Sequence, residues 1–490
     1  MTDPATRPPP PGARALRRAA PALLGYAAVR ALGLLALTLW SAARDSSAYK
    51  LLTARWDSLW YTRVAELGYG YEVRLPNGDI HSNLAFFPLL PWLERLLHTV
   101  SPLSYAGAGF VVSLFASLAA AWGIFAVADH LYGRRAGVCA VLVWAVLPVG
   151  IVQSMAYSES LFTALAAWSL YAVLTGRWIT AGVLALFAGL TRPVGIAVVA
   201  AVWAAGAASF ARRSRRDGDA GPAARRSEGV GVEPSARRSD ARGVQPSARR
   251  SEGLRIEQSA RSAEGRGAGP SARSDGRGAG PSARLSDGRG VGPSARRGSA
   301  APAPGARPGP HAPSAVGGSC EPGAPVWRRA LGMLLAPLGA AGYVLWVGHH
   351  TGKGPLGYLD VQAGWRNGFD GGYAFARFVA EKFTSFPSAL AGLGLTVGVG
   401  LVIWLYIVCV RQRQPLPLLV YAGVVTALAL CASSYFGSKP RLLLPAFPLL
   451  LPLALALARL RTSRSALVTA VVAVGSAVYG AFWLNGSGPP

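Results

Sequence analysis

Lysine is almost missing from this chain: Lys50, Lys353, Lys382 and Lys439 stand against 45 arginines. With abundant alanine, glycine and proline, that bias reflects a GC-rich genome and says little about function. Cysteine is scarce as well. Cys139, Cys320, Cys409 and Cys431 are far apart and three lie inside apolar runs, so neither a disulfide framework nor a zinc spacing is present. The six histidines are scattered apart from His349 and His350, and no His/Cys metal site is expected. Charge is sparse too. Only 15% of residues are charged while 51% are hydrophobic, a balance that favours a membrane protein over a soluble one.

The formal net charge of +26 is unevenly spread. Residues 211–326 hold 21 arginines against 11 acidic residues, and many other cations sit at the ends of apolar runs, where topology accounts for them. No nucleic-acid partner is expected from such a pattern.

A bilayer span needs about 20 mostly apolar residues. Spans are expected near 20–43, 106–129, 136–155, 159–174, 178–191, 193–210, 330–348, 388–410, 416–434, 442–459 and 465–486, an all-α polytopic membrane protein with about 11 transmembrane helices. The first run exceeds a signal peptide's apolar region and reads as a retained anchor. Arg30 inside it argues for packing within a bundle, because a charge facing lipid is costly. Residues 84–98, "LAFFPLLPWLERLLH", are apolar but short and broken by proline, and read as an interfacial helix.

With the N-terminus inside, every inner loop carries arginine: Arg134 and Arg135, Arg177, the 211–326 segment, Arg411 and Arg413, then Arg459, Arg461 and Arg464. The C-terminus then lies outside. The implied organisation is a cytoplasmic tail 1–19, an N-terminal membrane half 20–210 with a first outer loop 44–105, an Arg-rich loop 211–326, and a C-terminal membrane half 327–490. The expected location is the cell membrane, the plasma membrane in a bacterium, with membrane lipids as surroundings. Residues 222–297 repeat about every 12 residues ("PSARRSDA", "PSARRSEG", "PSARSDG") without apolar positions, which cannot build a core. A disordered cytoplasmic loop is expected there, either drawn to anionic inner-leaflet lipids or a neutral tandem expansion.

The unusual residues fall on the outer side. Asp57 lies in "RWDSLWY", Glu159 in "AYSESLF", Arg192 in "TRPVG" and Arg441 in "SKPRLLLP", each near an outer helix end. Guanidinium groups at headgroup level suit a phosphate, which they bind bidentately. Each residue also has a plainer reading. Asp57 can pair with Arg55 or Arg63, the two arginines can snorkel, Glu159 can complement a helix dipole, and Trp56, Trp60 and Tyr61 can form an interfacial belt.

"RWDSLWY", "AFFPLLPWLERLL", "AYSESLFTALAAWSLY", "GLTRPVG" and "KPRLLLPAFPLLLPLA" occur in the order seen in the PIG-V-like mannosyltransferases, which the chain resembles outside its repeat segment. That family includes the enzyme adding the second mannose to GPI anchors. Two departures stand out: the repeat insertion, and "DIHSNLA" before "FFPLLP", where His81 inherits no role. The resemblance implies a glycosyltransferase of GT-C type with an outer-face active site. It would move mannose from a polyprenyl-phosphate-mannose donor to a hydroxyl of a glycolipid or other acceptor, with inversion.

By that resemblance Asp57 is the catalytic base. A lipid phosphate leaves as a stable anion, so a single carboxylate suffices, to take the acceptor's proton. Arg192 and Arg441 would bind the donor phosphate. Glu159, Arg55, Trp56, Trp60 and Tyr61 would line the substrate site, the aromatics offering apolar faces. No cofactor or metal is demanded, since no acidic pair of DxD type stands in the outer loops. The competing class is a lipid or solute transporter. It would show repeated halves and mid-membrane polar residues, and no clear repeat is visible among the spans.

Overall fold

The computed structural model describes residues 11–219, 325–433 and 435–486, all within one compact unit. The repeats at 222–297 lie outside the described residues. The N-terminal part comprises α1 (Pro11–Ala42), α2 (Ala48–Thr53), α3 (Asp57–Leu67), α4 (Leu89–Thr99), α5 (Tyr105–Tyr132), α6 (Arg134–Ala145), α7 (Ser158–Leu174), α8 (Trp178–Gly189) and α9 (Ile196–Asp219). The C-terminal part comprises α10 (Val326–Leu335), α11 (Leu338–His350), α12 (Gly357–Gly364), α13 (Tyr373–Lys382), α14 (Ser388–Arg411), α15 (Leu416–Cys431), α16 (Lys439–Leu442), α17 (Leu451–Arg459) and α18 (Thr462–Leu484).

Each of the eleven apolar ranges contains helix, but the helix lengths differ. Among the described residues, six helical stretches are long and apolar enough to cross a membrane, and eight are if each of two bent pairs is one span. The chain therefore has the build of a multi-pass membrane protein. α7, α8 and α15 have 17, 12 and 16 residues. At 1.5 Å per residue α8 extends only about 18 Å, well short of a hydrocarbon core of about 30 Å.

Two details differ from the expected all-α, loop-joined layout. α9 runs on to Asp219, into the segment expected to be disordered from 211 onward. Arginine is a good helix former, and extending an existing helix needs no new nucleus. Two short antiparallel ribbons also form, β1 (Glu72–Arg74) with β2 (Ile80–Ser82) and β3 (Gly368–Phe369) with β4 (Ala432–Ser433).

The bends are built by proline and by side chains that take up the freed carbonyls. α6 meets the 3-10 segment Pro148–Ser154 at 90°, and the stretch Phe436–Leu442 meets Phe447–Arg459 at 74°. Pro148, Pro445 and Pro448 have no backbone N–H to continue a helix. At the first bend Arg30 donates to the carbonyls of Ala145 and Gly150, Gln153 Nε2 to Trp144 O at 2.9 Å, and Ser476 Oγ to Leu147 O at 2.7 Å. At the second, Trp144 Nε1 donates to Leu444 O and Tyr421 Oη to Pro445 O, both at 3.0 Å. Trp144 thus joins the two bends, and it stacks on Tyr26 with centroids 5.5 Å apart. Arg30 is buried inside the bundle, as its place in an apolar run required, with both terminal nitrogens on carbonyls and Nε without a partner among the described residues.

α8 and α10 pack through glycines. A side chain at Gly182 or Gly332 would collide with the other helix's backbone, the close approach that small residues permit between membrane helices.

α4 faces α5 with Glu94, which is fully buried against Gly109 and has no hydrogen-bond partner on either carboxylate oxygen. Burial holds this carboxyl well above the usual carboxylate range. The folded protein therefore carries it protonated where the unfolded chain would ionise it. Its stabilising share is whole below the unfolded-state pKa and is lost as pH rises toward the folded value. Thermal unfolding at stepped pH is expected to show stability falling above about pH 4.3 with a slope approaching about 1.4 kcal/mol per pH unit. Glu94→Gln is expected to remove that slope, and an unchanged slope would place the titration elsewhere.

Candidate functional site

Asp57 opens α3 under a strained lead-in. Trp56, the residue before it, has φ 53° and ψ −124°, a backbone conformation that non-glycine residues rarely adopt. A local knot holds it: Ser58 Oγ accepts from Arg55 N at 3.0 Å and donates to Arg55 O at 2.7 Å. The Arg55 guanidinium lies over the Trp56 ring at 4.1 Å and donates to Leu484 O at 3.0 Å and Gly486 O at 3.4 Å. Arg55 therefore ties the strained turn to the end of α18, and its hydrogen bonds go to backbone carbonyls.

Glu159 sits in the first turn of α7, just past the bend at Pro148. The turn before it is pinned from two sides, by Ser113 Oγ on Tyr157 O at 3.0 Å and by Ala156 N on Leu52 O at 2.9 Å. Arg192 occupies the extended residue between α8 and the 3-10 turn that starts α9. Arg441 projects from α16, before the second bend. Lys439 in the same helix donates to Ala429 O at 2.8 Å and Ala432 O at 2.7 Å. It fixes α16 against the end of α15, a positioning role that the sequence reading passed over.

These four segments meet. Arg441 Nη2 lies 2.7 Å from Asp57 Oδ2, and Arg441 Nε lies 3.3 Å from Glu159 Oε1. Arg192 pairs with the same Glu159 oxygen. Arg441 also covers the Tyr157 ring at 5.0 Å. Two carboxylates and two guanidiniums thus form one charge-balanced cluster. The side chains of Glu159, Arg441 and Arg192 are 1%, 9% and 13% exposed, whereas Asp57 is 28% exposed. Asp57 is the most exposed member of the cluster.

The cluster is balanced in charge but incompletely hydrogen-bonded. Arg441 Nη1 and the Tyr157 hydroxyl are buried and have no hydrogen-bond partner among the described residues. Unmatched buried donors on a cation are costly unless a ligand or water meets them. The free arginine N–H groups fit an oxyanion.

An aromatic layer adjoins the cluster. Tyr61 Oη shares a 2.7 Å hydrogen bond with Ser158 Oγ, and burial raises its pKa above the ordinary phenol value. Tyr61 meets Phe86 edge-on at 5.1 Å. Trp60 stacks on Phe86 at 5.7 Å and meets the Trp365 edge at 4.8 Å. His81 stacks on Trp365 at 4.0 Å, and partial burial lowers its pKa. Trp365 comes from the C-terminal part of the chain and donates to Ser82 O at 2.9 Å, closing the layer. The fully buried Asn83 fixes the loop after α3, donating to Gly68 O at 3.0 Å and accepting from Gly70 N at 3.1 Å.

Of the residues singled out in sequence, Asp57, Glu159, Arg192 and Arg441 come into mutual contact, with Tyr61 beside them through Ser158. Trp60 belongs to the aromatic layer, and Trp56 with Arg55 forms the strained lead-in. Tyr157, Ser158, Lys439 and Trp365 were not singled out. Only Tyr157 and Ser158 carried a signal, as neighbours of Glu159. No family model, no curated protein and no solved structure matches this chain.

Proposed function

We propose that the chain is a membrane glycosyltransferase of GT-C type, akin to the PIG-V-like mannosyltransferases, that moves a mannosyl residue from a polyprenyl-phosphate donor to an acceptor hydroxyl. The single observation that carries this reading is the four-residue charge cluster with unspent arginine donors beside a partly open carboxylate. The reading includes 11 spans: α7, α8 and α15 cross a bundle whose neighbours shield them, and the cluster faces the outer leaflet.

The donor phosphate takes the free N–H groups of Arg441, with Arg192 supplying further positive potential. Arg441 then shares its charge between phosphate and Asp57, and the carboxylate is released to act as a base. The acceptor oxygen attacks the anomeric carbon and its proton passes to Asp57. The bond from that carbon to the phosphate oxygen breaks, and its electron pair leaves with the polyprenyl phosphate. Attack opposite the leaving group inverts the centre, so a β-linked donor yields an α-mannoside. Glu159 keeps both arginines aimed at the phosphate, and the aromatic layer offers apolar faces to sugar and prenyl chain.

Purified protein given radiolabelled polyprenyl-phosphate mannose and a membrane lipid extract is expected to yield a labelled product lacking the prenyl phosphate. Label remaining on the donor, with polyprenyl-phosphate glucose equally inert, would sink the reading. A second reading, a lipid or solute transporter, draws on the two bent spans, a feature of many transporter folds. It requires solute or lipid flux in proteoliposomes without any chemical change in the label.

A further inference from the structure

A groove of about 430 Å³ opens between α1, α6, α17 and α18. Its walls are apolar, with Val138, Leu142, Leu457 and Ala466 facing it. Arg134 and Arg135 line it at the exposed start of α6. From Arg134 to Leu142 the groove follows two turns of α6, about 12 Å of helix.

Among the described residues the arginines at this mouth lack acidic partners. Arg134 Nε donates to Arg18 O at 3.2 Å, and Arg135 donates to Leu460 O. Asp129, the acid at this end, is bound bidentately by Arg18 at 2.6 and 2.7 Å. Among the described residues neither Arg134 nor Arg135 meets a carboxylate, nor do Arg459, Arg461 and Arg464 around the turn that Arg135 touches.

We propose that this groove binds one anionic membrane phospholipid, with an acyl chain along the apolar walls and its phosphate between Arg134 and Arg135. Charge complementarity selects this occupant. A soluble anion would leave the walls unused, and a basic segment of the chain itself would be repelled by the mouth. Basic pockets between membrane helices hold acidic headgroups through the same two contacts. The site stands at the opposite end of α18 from Arg55, so it does not rest on the proposed reaction.

The test uses the full chain, delipidated in detergent, with phosphatidylglycerol and phosphatidylcholine of identical acyl chains, read by native mass spectrometry. One phosphatidylglycerol is expected to be retained with at least about tenfold preference over phosphatidylcholine. Arg134→Gln with Arg135→Gln is expected to bring that preference close to one. Val138→Trp, which fills the groove, should lower retention of both lipids, and Arg212→Gln, an exposed cation elsewhere, should change nothing. Should the double variant not fold, the single Arg134→Gln and Val138→Trp carry the same comparison. Equal retention of the two lipids by the native chain, or a preference that survives both variants, overturns the proposal.

Discussion

Asparagine at position 57 is expected to slow sugar transfer by about two to four orders of magnitude, the usual contribution of a positioned general base. Asparagine keeps the shape of the side chain and can still accept from Arg441 Nη2, now 2.7 Å away. What it loses is the capacity to hold the acceptor's proton. Because Asp57 is more than a quarter exposed, the pair with Arg441 adds only modestly to stability, and the variant should melt within a few degrees of the native protein. The measurement is initial rate against donor concentration. The loss should fall in kcat, since Arg441 and Arg192, the proposed phosphate ligands, remain in place. A rate within threefold of native would remove Asp57 from the chemistry.

The largest expected effect on stability belongs to Glu159. Its carboxylate is essentially inaccessible and is the counter-charge of Arg192 and, with Asp57, of Arg441. Glu159→Gln leaves two buried guanidiniums sharing one carboxylate. Removing one partner of a buried ion pair costs about 3–5 kcal/mol, because the other charge stays buried uncompensated. Denaturation in detergent should show a loss of that size, together with weaker apparent donor binding as the arginines move apart. Glu159→Gln combined with Arg192→Gln restores charge balance. The double variant should recover about 0.5–3 kcal/mol relative to the sum of the single changes. Strictly additive losses would mean that the two side chains are not coupled.

Much of this arrangement was legible residue by residue. Apolar runs of about 20 residues fixed where helices form, because a bilayer rewards nothing else at that length. Asp57, Glu159, Arg192 and Arg441 drew attention singly, as charges near outer helix ends that the topology left unexplained. Their meeting was not legible, since residues as far apart as Asp57 and Arg441 carry no local mark of contact. Hydropathy also hides the two bends. The run around "VLVWAVLPVGIVQS" stays apolar through a turn of 90°, and only Pro148 hints at it. The bonds from Arg55 to the end of α18 were not legible either, because side-chain direction within a strained turn cannot be read from spacing. Trp365 lies far along the chain in a loop without a motif, so its place in the aromatic layer depended on tertiary folding alone.

The pinned bends also say where this molecule yields under load. A broken membrane helix can pivot when its open carbonyls trade partners cheaply. Here Arg30, Gln153 and Ser476 hold one break, Tyr421 holds the other, and Trp144 bridges both. Swinging at either break would strip these hydrogen bonds together. Compliance is displaced to the solvent-side cover, where Gly68, Gly70 and Gly78 all have positive φ and the chain from Glu72 to Gly78 is mostly exposed. A long prenyl donor is thus expected to enter by lifting this flap over a stiff frame, and turnover should respond to cross-links across the flap far more than to cross-links between the two halves of the bundle.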